Sequence, residues 1–220
     1  MKTVLVVGAS RGLGLEFVRQ YAAAGWRVLA GLRHPASTDL PAAITTHAID
    51  VCNLASIDAV AEALQHELDH LVISAGALGV KNLGFETPDP EDFDRVMRTN
   101  VLGTIALIEQ LAPRMAAGGT IAVLSSRMGS IGDADSPFAL LYRCSKAAVN
   151  MVVKCAASAY ADSGLRIVAL YPGWVRTEMG GPDAPLLPPE SVTGMRRVID
   201  DADAFPSGGF FSYRGDPLPW

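Results

Sequence analysis

Cysteine is scarce and unpatterned: Cys52, Cys144 and Cys155 are scattered through 220 residues, odd in number and without metal-binding spacing. This excludes a disulfide framework and a cysteine-based zinc site, and it suits thiols kept reduced in a cytoplasmic setting. Positive charge is also in short supply. The 18 basic and 23 acidic side chains leave a net charge of −5, so no basic surface is expected for nucleic acid or an anionic membrane. No apolar run approaches the ~20 residues of a membrane span. The early run TVLVV is shorter than the ~7–15-residue core of a secretory signal and ends in a glycine loop. No N-x-[ST] sequon is present. Of the four histidines, His66 and His70 stand four apart, but no acid or cysteine motif completes a metal site around them. The expectation is a cytoplasmic protein that uses no metal, no nucleic acid and no membrane.

Apolar residues, by contrast, are plentiful, at 50% of a chain whose length fits one domain spanning residues 1–220. Short β-rich runs, TVLVV, RVLAGL, TTHAI, HLVIS, GTIAVLS and LRIVALY, alternate with helical stretches. They are apolar throughout rather than at every second position, which suits strands covered on both faces. The fold class is therefore α/β, a Rossmann-type doubly wound parallel sheet of about seven strands with helices on both faces. In TPDPEDF, Asp89 is placed to cap a helix with Pro90 at its first position and Glu91 and Asp92 in its first turn. The stretch Val101–Met115 is apolar on nearly every side, as a helix buried on more than one face would be. Residues 178–190, rich in glycine and proline, read as irregular chain after a strand, at the edge where such sheets bind ligands. A lid over a substrate pocket is expected there.

The first strand runs into GASRGLG, with Gly8, Gly12 and Gly14 ahead of a helix. Glycine lets the backbone turn tightly and approach a pyrophosphate, whose charge is favoured at a helix N-terminus. At the end of the second strand, where an acid often holds the ribose hydroxyls of NAD, the chain has Arg33, and Arg11 lies in the glycine loop. Two guanidiniums match a 2′-phosphate in shape and charge, so NADP(H) is expected in preference to NAD(H).

Tyr142 and Lys146, in YRCSK, stand about one helical turn apart and leave the same face. A cation ~4 Å from a phenolate at an effective dielectric of ~20 is worth roughly 4 kcal/mol, about three pKa units. Lys146 is therefore expected to bring Tyr142 toward neutrality as a usable acid and base.

Over essentially its whole length the chain resembles the short-chain dehydrogenase/reductase family. The landmarks, in order, are GASRGLG, Asp50-Val51, Ser74-Ala75-Gly76, Asn100 in TNVLG, Ser126 in VLSSRMG, YRCSK, and PGWVRT from Pro172 to Thr177. PGWVRTEMGGPDAP and the closing GGFFSYRGDPLPW are similar to the branch of C-factor and sniffer-like carbonyl reductases. The resemblance implies catalysis by Asn100, Ser126, Tyr142 and Lys146, with Asn100 holding a water behind Lys146. It implies cofactor contacts at Gly8, Ser10, Arg11, Gly12, Leu13, Gly14, Arg33, Asp50, Val51, Ala75, Gly76, Tyr142, Lys146, Pro172, Val175 and Thr177. The implied reaction interconverts a carbonyl and an alcohol. A binding-only NADP(H) sensor and a pteridine-type reductase are the alternative readings.

Three departures from the family pattern stand out. Val7 replaces a threonine before the first glycine, and Ile73-Ser74 replace an Asn-Asn pair. Ser126 and Tyr142 are 16 residues apart, where about 13 is usual, with GDADSPF between them; Ser125 and Ser130 are alternative serines. Trp174, Met179, Leu186 and Leu187 suggest an apolar mouth for a small hydrophobic ketone, aldehyde or quinone. The small residues after Lys146, with Val101–Met115, resemble the surface through which the family pairs subunits, which implies a homodimer or homotetramer. Cys144 is expected to be a small packing residue on the far side of its helix, and Arg214-Gly215-Asp216 a turn after FFSY.

Overall fold

Seven strands pair into one sheet in the computed structural model, which describes residues 1–35, 40–41 and 43–220. The strands are β1 (Thr3–Val7), β2 (Arg27–Leu32), β3 (Thr45–Ala48), β4 (Leu68–Ile73), β5 (Met115–Leu124), β6 (Arg166–Tyr171) and β7 (Phe210–Ser212). Their order is β3-β2-β1-β4-β5-β6-β7, and every pairing is parallel. The order reverses between β1 and β4, and such a switch point opens a crevice at the carboxyl ends of the strands.

The alternation of side chains along each strand explains why the runs are apolar throughout. Leu5 and Val7 of β1 point to one face, where they pack with Ile57 and Val60 of α2 (Leu54–Ala63), Leu107 and Leu111 of α4 (Gly103–Leu111), and Val149 of α5 (Leu140–Ala159). Val4 and Val6 point to the other, against Phe17 and Tyr21 of α1 (Gly12–Ala23) and Met195 and Val198 of α6 (Pro188–Asp200). Both faces are thus covered, and a polar residue at either set of positions would be buried.

The capped helix forms as α3 (Pro90–Met97), with the Asp89 carboxylate accepting from the amides of Glu91 (2.9 Å) and Asp92 (3.1 Å). Beyond it the structure departs from the expected single helix over Val101–Met115. A π-helical turn, Arg98–Leu102, joins α3 to α4, and a 3₁₀ turn over Ala112–Arg114 ends the run, so Met115 already belongs to β5. Pro113 has no amide proton to continue the α-helical ladder, which accounts for the stop. Leu102 and Ile105 are exposed, so the apolar character serves one buried face and leaves another open.

Residues 178–190 are also more regular than their composition implies. Val175 and Leu186 form a β-bridge, with the Arg176 amide donating to Leu186 O (2.8 Å) and the Leu186 amide to Trp174 O (3.3 Å). Ala184 is fully buried. Pro188 and Pro189 open α6, where a missing N–H leaves no helical bond unmade. Arg214-Gly215-Asp216 is a turn after β7, held by the Ser212 hydroxyl, which donates to Asp216 Oδ2 (2.9 Å) and accepts the Asp216 and Arg214 amides. Among the described residues no helix is long and apolar enough to cross a membrane.

Candidate active site

A cleft of about 900 Å³ runs along the carboxyl ends of β1, β2, β4 and β6, from the glycine loop to the first turn of α5. Gly8 is built for its place: φ is +86°, and a Cβ there would lie 2.6 Å from the Ala75 amide nitrogen. Gly14 lets α1 press against the loop, since its Cβ would meet Gly8 O at 2.1 Å. Gly12, at φ +56°, carries the chain into α1, whose first turn contains no acid and whose N-cap, Arg11, makes no side-chain capping bond. The helix amides are thereby left to face the cleft.

Of the residues expected to hold a dinucleotide, Gly8, Ser10, Arg11, Gly12, Leu13, Arg33, Asp50, Val51, Ala75, Gly76, Tyr142, Lys146, Pro172 and Thr177 line this cleft. Gly14 lies behind the loop, and Val175 is buried opposite Leu186 in a β-bridge whose hydrogen bonds are made by its neighbours Trp174 and Arg176. Asp50 uses Oδ1 to accept the Cys52 amide (2.9 Å), which shapes the turn after β3. Arg33 is exposed at the end of β2. Arg11 is also exposed, but it is ion-paired to Glu178 across the cleft at 2.7 Å. Glu178 was not legible in the sequence, because its partner lies 167 positions away by subtraction of their numbers and only the fold brings them together.

The remaining residues meet at the other end. Asn100 is buried within the π-helical turn. Its Nδ2 donates to Ala77 O (2.8 Å) and Ser145 Oγ (2.9 Å), while Oδ1 accepts the Ala77 amide (2.7 Å). It therefore braces the chain after β4 against α5. The three candidate serines separate cleanly. Ser125 donates to Asn150 Oδ1 (2.6 Å), and Ser130 is engaged with Trp220 O (3.4 Å) and the Asp133 amide (3.1 Å). Ser126, which accepts the Met128 amide (3.1 Å), is the one of the three whose hydroxyl acts on Tyr142, easing the ionisation of its phenol.

Lys146 corrects the electrostatic expectation. Its Nζ lies over the Tyr142 ring, 5.7 Å from the centroid, and donates to Leu124 O (2.9 Å). Burial dominates both groups: it pushes the Tyr142 phenol up to about 12 and the Lys146 ammonium down to about 8. The Ser126 hydroxyl lowers the phenol and the nearby Tyr171 raises it, but neither offsets desolvation. With the protein's own groups alone, Tyr142 is a firmly protonated donor rather than a near-neutral acid.

Elsewhere, His70 sits on β4 with Nδ1 2.9 Å from the Tyr21 hydroxyl, and His66 lies outside any helix or strand, so the two form no site. Among the described residues no group of three or more histidines, cysteines or acids is placed to hold a metal. Cys144 does face away from the cleft, but it is exposed rather than packed.

Comparison with known proteins agrees with this architecture. The family model described as short chain dehydrogenase matches residues 2–185. C-signal of Myxococcus xanthus is 39% identical over 155 residues, covering 70% of this chain and 93% of its own. The carbonyl reductase Sniffer of D. melanogaster superposes with a TM-score of 0.93 at 26% identity, covering 100% of both chains. An NADPH-bound carbonyl reductase from chicken fatty liver gives a TM-score of 0.90 at 30% identity, over 100% of this chain and 94% of that one. With the glycine loop, the parallel sheet and the Ser126–Tyr142–Lys146 cluster in register, the chain belongs to the short-chain dehydrogenase family of oxidoreductases, within its carbonyl-reductase branch.

Proposed function

We propose that the protein is an NADP(H)-dependent oxidoreductase that interconverts a carbonyl compound and an alcohol, with Tyr142 as the proton donor and acceptor. The observation that carries this is the meeting of Tyr142 and Lys146, with Ser126 acting on the phenol, at one end of a cleft whose other end is the glycine loop with Arg11 and Arg33. The fit to a dinucleotide is physical: Gly8 and Gly12 adopt positive φ, and the two arginines supply fixed positive charge where a 2′-phosphate would lie. Gly8, Ser10, Gly12 and Leu13 would hold the pyrophosphate, Asp50 and Val51 the adenine, and Pro172, Val175 and Thr177 the nicotinamide amide. When bound, the nicotinamide supplies or accepts the hydride.

The chain's own groups do the rest. Ser126 donates to the substrate oxygen and stabilises charge as it develops. Tyr142 passes its phenolic proton to that oxygen, and because burial keeps the phenol protonated, the donor form is ready at neutral pH. The Lys146 ammonium, over the ring, stabilises the phenolate left behind. It would also hold the nicotinamide ribose, with Asn100 ordering a water behind it. The convergence of a buried phenol, a hydroxyl and an ammonium favours turnover over mere sensing, and nothing in the cleft selects a pteridine ring.

Met179 on the cleft wall and exposed Trp174 and Leu187 beside it favour an apolar substrate, a small or medium ketone, aldehyde or quinone. The segment 178–190 serves as the lid of a single 1–220 domain, its Glu178 reaching across to Arg11. The exposed Leu102 of the π-helical turn, Ile105 of α4 and Met151 of α5 favour pairing into a homodimer or homotetramer in the cytoplasm.

The test is cofactor oxidation with NADPH and NADH across a panel of aldehydes, ketones and quinones, with Tyr142→Phe beside the wild type. Preference for NADPH and loss of at least about a hundredfold in kcat in the variant are expected. Cofactor binding without turnover on any carbonyl would overturn the assignment in favour of a sensor.

A further inference from the structure

The segment that lengthens the Ser126–Tyr142 spacing ends in an unusual backbone. Ala139 has φ +53° and ψ +47°, and among the described residues it is the one non-glycine with positive φ. A left-handed alanine is unfavourable by ~1–2 kcal/mol and persists only where its surroundings over-determine it. Here they do. The Ala139 amide donates to Asn82 O (2.9 Å), its carbonyl accepts the Arg143 amide (3.0 Å), and its side chain is 1% exposed. Ala139 is also the N-cap of α5, so the direction in which it turns the chain sets the direction of the first helical turn, which carries Tyr142.

Arg143 holds this turn from the other side. Its Nε donates to Phe138 O (2.9 Å), and its guanidinium lies 3.7 Å from Asp135. One residue thus grips the chain at two successive carbonyls, Phe138 through the side chain and Ala139 through the backbone. The segment's other end is fixed by Arg127 Nε to Asp133 (2.8 Å) and by the Asp133 amide to Ser130 Oγ (3.1 Å). The added residues are therefore tied at both ends rather than looped freely between the serine and the tyrosine.

We infer that Arg143 is a positioning residue: by holding Phe138 and the left-handed Ala139 against the start of α5, it sets the direction in which the first helical turn presents the Tyr142 phenol to the cleft. The inference rests on the catalytic reading of Tyr142 and adds the device that aligns it. Arg143 acts on the neighbouring backbone, so its contribution belongs to kcat and to the protonation of Tyr142, not to cofactor affinity. A lysine cannot replace it, since a flexible ammonium lacks the planar fork that reaches Phe138 O while staying paired to Asp135.

The experiment compares wild type, Arg143→Ala and Arg143→Lys by steady-state kinetics over pH with NADPH and a turned-over carbonyl substrate. Cofactor affinity is measured separately by fluorescence titration. Arg143→Ala is expected to lower kcat about 10- to 100-fold with NADPH affinity within about twofold, and Arg143→Lys to lower kcat at least about threefold. In the alcohol-oxidation direction, the alkaline rise in rate should move to higher pH in both, as the phenol swings away from the Ser126 hydroxyl that eases its ionisation. If Arg143→Ala does not fold, Arg143→Lys decides alone. A kcat and pH profile unchanged per NADPH-binding site, or a loss that merely tracks the fraction of folded protein, would overturn the positioning role alone. Absence of turnover in the wild type would overturn the catalytic reading and this inference with it.

Discussion

Lys146→Met should make the protein's stability respond less to alkaline pH, and the size of the change follows from burial. The ammonium is 5% exposed, has no carboxylate beside it, and has its pKa lowered from 10.5 to about 8. A lowering of that size corresponds to ~3 kcal/mol of penalty on the charged form in the folded state. Between pH 8 and 10.5 the folded chain binds fewer protons at this site than the unfolded chain does, so the unfolding free energy rises with pH across that window. Below pH 8 both states are protonated and the site contributes no slope. Integrated from pH 7 to pH 9.5, the rise is about 2 kcal/mol.

Methionine fills a similar volume and cannot titrate, so the variant lacks that rise. It also strands Leu124 O and removes the ammonium from the Tyr142 ring, a loss of ~1–3 kcal/mol that is independent of pH and leaves the slope intact. Urea midpoints for both proteins at half-unit steps from pH 7 to 9.5 would isolate the term. Stopping there avoids the ionisation of Tyr142, which burial has pushed up to about 12. The wild-type-minus-variant difference should grow by about 2 kcal/mol in favour of the wild type. A difference constant to within about 0.5 kcal/mol would show that Lys146 is not desolvated as its burial implies.

Three further outcomes are expected. Arg11→Ala should raise the KM for NADPH about tenfold, the low end for a charge-assisted hydrogen bond because the side chain is exposed, and should change the NADH value less than about twofold; equal effects on both would remove Arg11 from phosphate recognition. Gly8→Ala should destabilise by ~2–4 kcal/mol in urea titrations and abolish NADPH binding, since the new Cβ meets backbone at 2.6 Å from a positive-φ position; wild-type binding would contradict the loop geometry. His70→Gln should flatten the acid limb of stability. Burial, with Lys2, Arg166 and Arg196 against Asp69, lowers His70 from 6.5 to about 3, so the folded state resists protonation and stability falls as pH drops below 6.5. The wild type should lose about 2 kcal/mol more than the variant between pH 6.5 and 4.5, and parallel acid limbs would count against a neutral buried imidazole.

The sheet was legible because a strand covered on both faces must be apolar at every position, and five such runs were present in sequence order; β3, TTHA, is polar and largely exposed at the sheet's edge. The seventh, β7, is only three residues and was visible only as FFSY beside a turn. Helix ends were readable where a side chain makes the stop, as at Asp89, and not where geometry does, as at the π-helical turn that carries Asn100. Composition misled at 178–190, since prolines that break a helix interior instead begin α6. In the site, the order of motifs placed Tyr142, Lys146 and Ser126, but local spacing could not choose among three serines. Asn150 and Trp220, which engage Ser125 and Ser130, are distant in sequence. The Arg11–Glu178 pair was hidden for the same reason.

The largest departure is the ionisation of Tyr142, and it has a consequence for direction. The helical spacing of Tyr142 and Lys146 predicts attraction between phenolate and ammonium, but spacing carries no information about burial. Burial acts on both groups at once, raising the one and lowering the other, and here it outweighs their mutual attraction. At neutral pH the phenol therefore keeps its proton; in the reaction proposed for this site that is the form carbonyl reduction would consume, while alcohol oxidation would first have to remove it. On that proposal the protein's own electrostatics would favour reduction near neutrality and leave oxidation to gain as the pH rises. The positioning proposed for Arg143 bears on the same group, because Arg143 and Ala139 hold the start of the helix that carries Tyr142.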